Sequence, residues 1–92
     1  MSTLYRRNPA IEASPMQGES LLFDPATNRF CLLNGTAAFV WDRLREPATA
    51  EHLAAEVSRH FEAPEPARVE QEVRAALQKF ADLALVTREA VL

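Results

Sequence analysis

The sequence predicts an α+β domain in which a three-stranded antiparallel sheet is followed by three helices. Three observations carry this reading. Short β-prone runs separated by turn residues fill the chain from Ile11 to Asn34. The run RFCLLNGTAAFVWDRL, Arg29 to Leu44, alternates like a strand and then repeats like a helix, with only Asn34-Gly35 between. From about Ala67 to Leu83 one apolar stripe recurs at helical spacing. The 92 residues, 48% hydrophobic and 25% charged, make one globular domain, because so short a chain cannot be divided between two cores.

Residues 1–10 are a polar, Pro-containing lead-in, read as flexible. IEASPM (Ile11 to Met16) is a short strand whose Pro15 suits an edge or a strand end. After Gln17-Gly18, ESLLFD has the apolar density of a strand, and DPATN (Asp24 to Asn28) opens like a type I turn, with Asn28 suited to a left-handed conformation. RFCLLN then closes a hairpin. Asn34 is a good N-cap for the first helix, in which Ala37, Val40, Trp41 and Leu44 share one face; Trp41 belongs to the core, and the helix is expected to end at Glu46, before Pro47.

Thr49 caps the second helix, whose Leu53, Val57, His60 and Phe61 follow the i, i+4, i+7, i+8 pattern of one buried face, with His60 half-buried. The prolines of EAPEP (Glu62 to Pro66) end it. In the third helix Val69, Val73, Ala76, Leu77, Phe80 and Leu83 face the core, opposite solvated Glu70, Gln71, Arg74 and Gln78. Three strands with one bare face do not stay folded, so the helices must cover one side of the sheet. The result is winged-helix-like, spanning residues 11–87, with 88–92 as a C-terminal tail.

The chemistry the chain lacks is informative. Its single cysteine, Cys31, makes no internal disulfide and has no Cys neighbour for a metal knuckle, which fits a reducing compartment. No run reaches the roughly 18 apolar residues of a membrane span, and MSTLYRRNPA lacks a signal-peptide core, so a cytoplasmic location away from membranes is expected. A net charge of −3 disfavours nucleic acid. His52 and His60 lie on one helix with no third ligand nearby, and two glycines are too few for a phosphate-cradling loop. Cys31 is read as a strand thiol facing the interior, not a nucleophile. Neither a catalytic constellation nor a metal or cofactor site emerges.

The order of elements and RFCLLNGTAAFVWDRL together resemble the PqqD-like proteins, peptide chaperones also called RiPP recognition elements. In that family a strand ending in Leu-Asn, here Leu33-Asn34, leads into a helix with a Trp near its end, here Trp41. TAEHLAAEVSRHFEAPEPARVEQEVRAALQKFADLALV is similar to the rest of the same domain, so the resemblance covers roughly residues 10 to 87. One position departs: Ala84 stands where family members often have glycine, and a left-handed Ala there costs roughly 1 kcal/mol relative to Gly.

The resemblance implies a non-catalytic protein that binds the leader segment of a ribosomally made precursor peptide and presents it to a modifying enzyme, such as a radical SAM maturase, a leader peptidase or a cyclodehydratase. The physical mode is β-strand addition to the edge of the third strand, with the third helix beside that edge forming a groove. Alternation puts Cys31 and Leu33 on one face and Phe30 and Leu32 on the other, and the resemblance turns Cys31 and Leu33 to the core. Candidate peptide contacts are Arg29, Phe30, Cys31, Leu32 and Leu33, with Arg68, Glu72, Ala75, Ala76 and Lys79 along the helix. The alanines leave room for an apolar leader side chain, and Arg29, Arg68 and Lys79 can pair with leader carboxylates.

The opposite flank, Glu70, Arg74 and Ala81, is the competing wall. The plainer alternative has Phe30 and Leu32 packed under the N-terminal segment and Arg68 and Lys79 as solvated charges. Two further readings of the whole chain stand beside this one: a structural or regulatory subunit that binds a partner protein through the same edge, and a winged-helix DNA binder. Against the latter, the third helix alternates acid and base instead of presenting a basic face. An open edge also allows pairing with a second copy.

Overall fold

The computed structural model describes residues 2–62 and 65–91. The elements run β1 (Ser2–Arg7), β2 (Glu12–Met16), β3 (Glu19–Asp24), β4 (Arg29–Asn34), α1 (Gly35–Arg43), β5 (Ala48–Thr49), α2 (Ala50–Phe61), α3 (Pro66–Asp82) and β6 (Val86–Val91). The expected sheet and three helices are present. Ala63 and Pro64, within the proline-bearing break, lie outside the described residues, as does Leu92 of the expected tail.

β2, β3 and β4 form an antiparallel meander in that order, so both β2 and β4 are edges. Pro15 sits in the edge strand β2 opposite Ser20, where its missing N–H is tolerated. Asn28 takes the left-handed conformation, φ 59°, that closes the turn into β4, and Asp24 Oδ1 accepts the Ala26 N–H at 3.0 Å. Inward residues Leu22 and Leu33 meet Val40, Trp41 and Leu44 of α1, Leu53 and Val57 of α2, and Val69, Val73, Leu77 and Phe80 of α3 in one core. Each such side chain, fully buried, stabilises the fold by roughly 1.5–3 kcal/mol. The Trp41 and Phe80 rings meet edge to face at 5.9 Å.

A second sheet, ordered β5-β1-β6, is an addition to the expected fold. The N-terminal lead-in, read above as flexible, is its central strand: residues 2–7 pair along their whole length with 86–91, the second of which includes the supposed tail. Arg6 bonds Glu89 at 2.9 Å across this ladder. Arg7 lies over the Trp41 ring, 4.6 Å from its centroid, and donates Nε and a terminal nitrogen to the Trp41 carbonyl. Burial lowers the Arg7 pKa, with Asp42 opposing the shift. Asn8 fastens the corner, its N–H bonding the Leu85 carbonyl at 2.9 Å and its side-chain amide the Ala84 carbonyl at 3.0 Å. STLYRR carries too little apolar alternation to announce a strand; it exists because a partner about 80 residues away supplies its ladder.

Three local expectations need correcting. α1 ends at Arg43, not Glu46: Leu44 leaves helical geometry as C-cap, and Ala48-Thr49 is drawn away to pair with β1. His60 and Phe61 are exposed instead of buried, since the last turn of α2 overhangs the core; His60 stacks on Phe39 at 4.3 Å, and Phe61 meets the same ring edge-on at 5.5 Å. Leu83 is no core residue but the exposed C-cap of α3. Thr49 caps α2 as expected, its hydroxyl accepting the His52 N–H at 3.2 Å.

Candidate functional site

β4 bonds only β3, which leaves its other side a free edge among the described residues. Alternate residues along such an edge turn their N–H and C=O outward, unpaired. The strand's inner face carries Leu33, 3% exposed, and Cys31, partly buried against the core. Its outer face carries Phe30 and Leu32, which are 67% and 53% exposed. The N-terminal segment does not cover them, because it is committed to the second sheet.

Beside the edge lies a groove of about 470 Å³. On one side it is lined by Leu22, Thr27, Arg29, Phe30 and Cys31, and on the other by Asp82, Leu83, Ala84 and Leu85 at the end of α3. The far wall owes its shape to the cap. The Leu85 N–H reaches back to the Phe80 carbonyl at 2.8 Å and Ala84 adopts φ 58°, the Schellman arrangement that turns the chain sharply off the helix. The groove's two carboxylates have local partners: Asp24 holds its own turn, and Asp82 accepts from Gln78 at 2.8 Å.

Of the residues singled out in the sequence, Arg29, Phe30 and Cys31 line this groove, whereas Leu32, Leu33, Arg68, Glu72, Ala75, Ala76 and Lys79 do not. Arg68, Glu72, Ala75 and Lys79 form an exposed stripe, and Ala76 packs against the core. Helical spacing carries that stripe into the groove, because Asp82 and Leu83 stand three and four residues beyond Lys79. The competing flank is occupied: Arg74 bonds Glu70 at 2.9 Å and Glu51 of α2 at 3.2 Å, so that side of α3 faces α2. Arg68 approaches Glu72 at 3.6 Å, while Arg29 and Lys79 make no ion pair among the described residues.

The lining contributed by Asp82 to Leu85 escaped the sequence reading, although the Ala84 position had marked the turn that builds it. A second groove, about 520 Å³, flanks the other edge of the sheet where Met16 of β2 approaches Phe39, His60 and Phe61. Among the described residues no group of His, Cys, Asp and Glu is placed to hold a metal ion, and no helix is long and apolar enough to cross a membrane.

Residues 19–86 match the family model described as coenzyme PQQ synthesis protein D (PqqD). Two solved structures share the fold. One is TbiB1 in complex with the TbiA(beta) leader peptide, with 19% identity and a TM-score of 0.82, covering 94% of this chain and 99% of that one. The other is a lasso peptide synthetase B1 complexed with the leader peptide, with 20% identity and a TM-score of 0.77, covering 90% and 96%. No curated protein matches the chain.

Proposed function

The chain belongs to the PqqD family, and from that premise we propose that it is a non-catalytic binding protein for the leader segment of a ribosomally made precursor peptide, which it presents to a separate modifying enzyme. The observation that carries this reading is the free β4 edge beside a groove walled by the end of α3. An extended peptide laid along β4 satisfies the unpaired backbone groups, and its inward side chains enter the groove between Cys31 and Leu83. Backbone pairing gives affinity with little demand on sequence; the groove adds selection.

Arg29 at the groove and Lys79 on the adjoining stripe are the cations for leader carboxylates, and exposed Ala75 leaves space along the same stripe. The two solved structures described above each hold a leader peptide, which supports the same class of ligand here. The cations of α3 are interleaved with Glu70 and Glu72, which favours peptide over nucleic acid. The partner enzyme is of the peptide-modifying kind: a maturase, leader peptidase or cyclodehydratase.

The test is an isotope-edited NMR titration of the labelled domain with the leader segment of the precursor encoded beside it. Amide shifts concentrated at Arg29–Asn34 and Asp82–Leu85 are expected. Absence of shifts at near-millimolar peptide overturns the reading.

A further inference from the structure

The side of the meander turned away from the helices is unusually apolar next to its open edge. Cross-strand register sets Phe23 opposite Phe30 and Leu21 opposite Leu32. The Phe23 and Phe30 rings lie 4.7 Å apart, and the exposed members of both pairs, Phe30 and Leu32, belong to β4 itself. One step further along, the pair is polar, Glu19 with Asn34. The apolar patch therefore stops within the strand, leaving two large hydrophobic side chains exposed where a further strand would add.

Pleating decides what covers them. A strand paired with β4 continues the alternation of the sheet, so one side chain in two enters the groove and the next lies on the outer face. Each outer side chain comes within about 4.5–5.5 Å, Cβ to Cβ, of the β4 residue opposite. Phe30 and Leu32 then gain an apolar neighbour on the side that is now open, and Asn34 a polar one.

We infer that β4 selects its peptide on both faces, taking an extended segment that carries aromatic or β-branched residues at two positions two apart, opposite Phe30 and Leu32, and a polar residue two further on, opposite Asn34. This rests on strand addition at β4 and adds to it a requirement on the peptide's outer-face side chains; Phe30 also borders the groove, so Leu32, which does not, is the position that separates the two faces. The outer face thus distinguishes a leader from any extended segment able to pair by backbone alone.

The experiment uses the full chain, wild type and the variants Phe30→Thr, Leu32→Thr and the double variant, titrated with the leader segment of the precursor encoded beside it. Threonine keeps strand propensity while removing the apolar contact, and amide spectra confirm that each variant is folded. Each single variant should bind roughly 2- to 5-fold more weakly, and the double variant about tenfold, with the β4 amide shifts retained. Serine at the peptide's outer apolar positions should weaken binding to wild type but barely change binding to the double variant, the signature of a direct pair.

Equal affinity of wild type and double variant overturns the two-faced reading and leaves strand addition standing. No binding by wild type overturns strand addition itself. A wild-type dimer that the double substitution converts to monomer, with peptide affinity unchanged, assigns the patch to a second copy and likewise overturns the inference.

Discussion

Replacing Ala84 with glycine should stabilise the protein, although it removes a methyl group. Ala84 holds φ 58° at the end of α3, a conformation in which the Cβ of an L-residue crowds its own backbone at about 1–2 kcal/mol. Glycine removes that strain but loses about 0.4–1 kcal/mol through the greater freedom of the unfolded chain. The capping bonds from the Leu85 and Ala84 N–H groups, and the bond from Asn8 to the Ala84 carbonyl, are to backbone and survive the change. The net gain is about 0.5–1 kcal/mol, or roughly 2–8 °C in Tm for a domain of this size. Thermal unfolding followed by circular dichroism measures it. Ala75→Gly, the same chemical change at an exposed interior position of the same helix, should lower stability by about 1 kcal/mol. An Ala84→Gly variant that melts at or below the wild-type temperature would refute the assignment of strain to this residue.

Other predictions follow from the same geometry. Arg7→Ala removes a stacked cation and its charged bonds to the Trp41 carbonyl, and urea denaturation should show a loss of about 2 kcal/mol. Arg7→Lys should restore little of this, since an ammonium cannot reproduce the planar fork. Thr49→Ala deletes the cap of α2 and should cost about 1 kcal/mol in the same assay, without altering leader affinity, because Thr49 is no part of the groove. Leu83→Asp puts a charge into the groove wall at an exposed position; isothermal titration should register at least a tenfold loss of leader affinity, with Tm nearly unchanged.

What the sequence revealed was what local chemistry decides. The strand-to-helix switch at Leu33-Asn34-Gly35, the left-handed Asn28, the Thr49 cap and the difficulty at Ala84 each follow from a few neighbouring residues, and each is found. Alternation sorted the residues of β4 into two faces, and the resemblance to the PqqD-like proteins indicated that Cys31 and Leu33 turn inward, as they do. The second sheet was not, because β1 and β6 are each too polar to declare themselves and become strands only against one another. The exposure of His60 and Phe61 escaped for a related reason: periodicity shows which side of a helix is apolar, not how far along the helix the core extends. The groove's far wall belongs to the turn after α3 more than to the helix face, and only the arrangement of the two sheets brings that turn to β4.

The β1–β6 ladder also governs how this domain can be attached to anything else. Ser2 and Val91 are direct partners, so a polypeptide joined before one or after the other departs from nearly the same point. That point lies five residues along the ladder from the Arg7–Val86 pair, about 17 Å at the usual rise of a strand, and Val86 directly follows Leu85 of the groove wall. A leader tethered to either end therefore starts from the same place and sees the β4 edge across a comparable span. For linkers of equal length the local concentration at the groove should be nearly independent of which end carries the cargo.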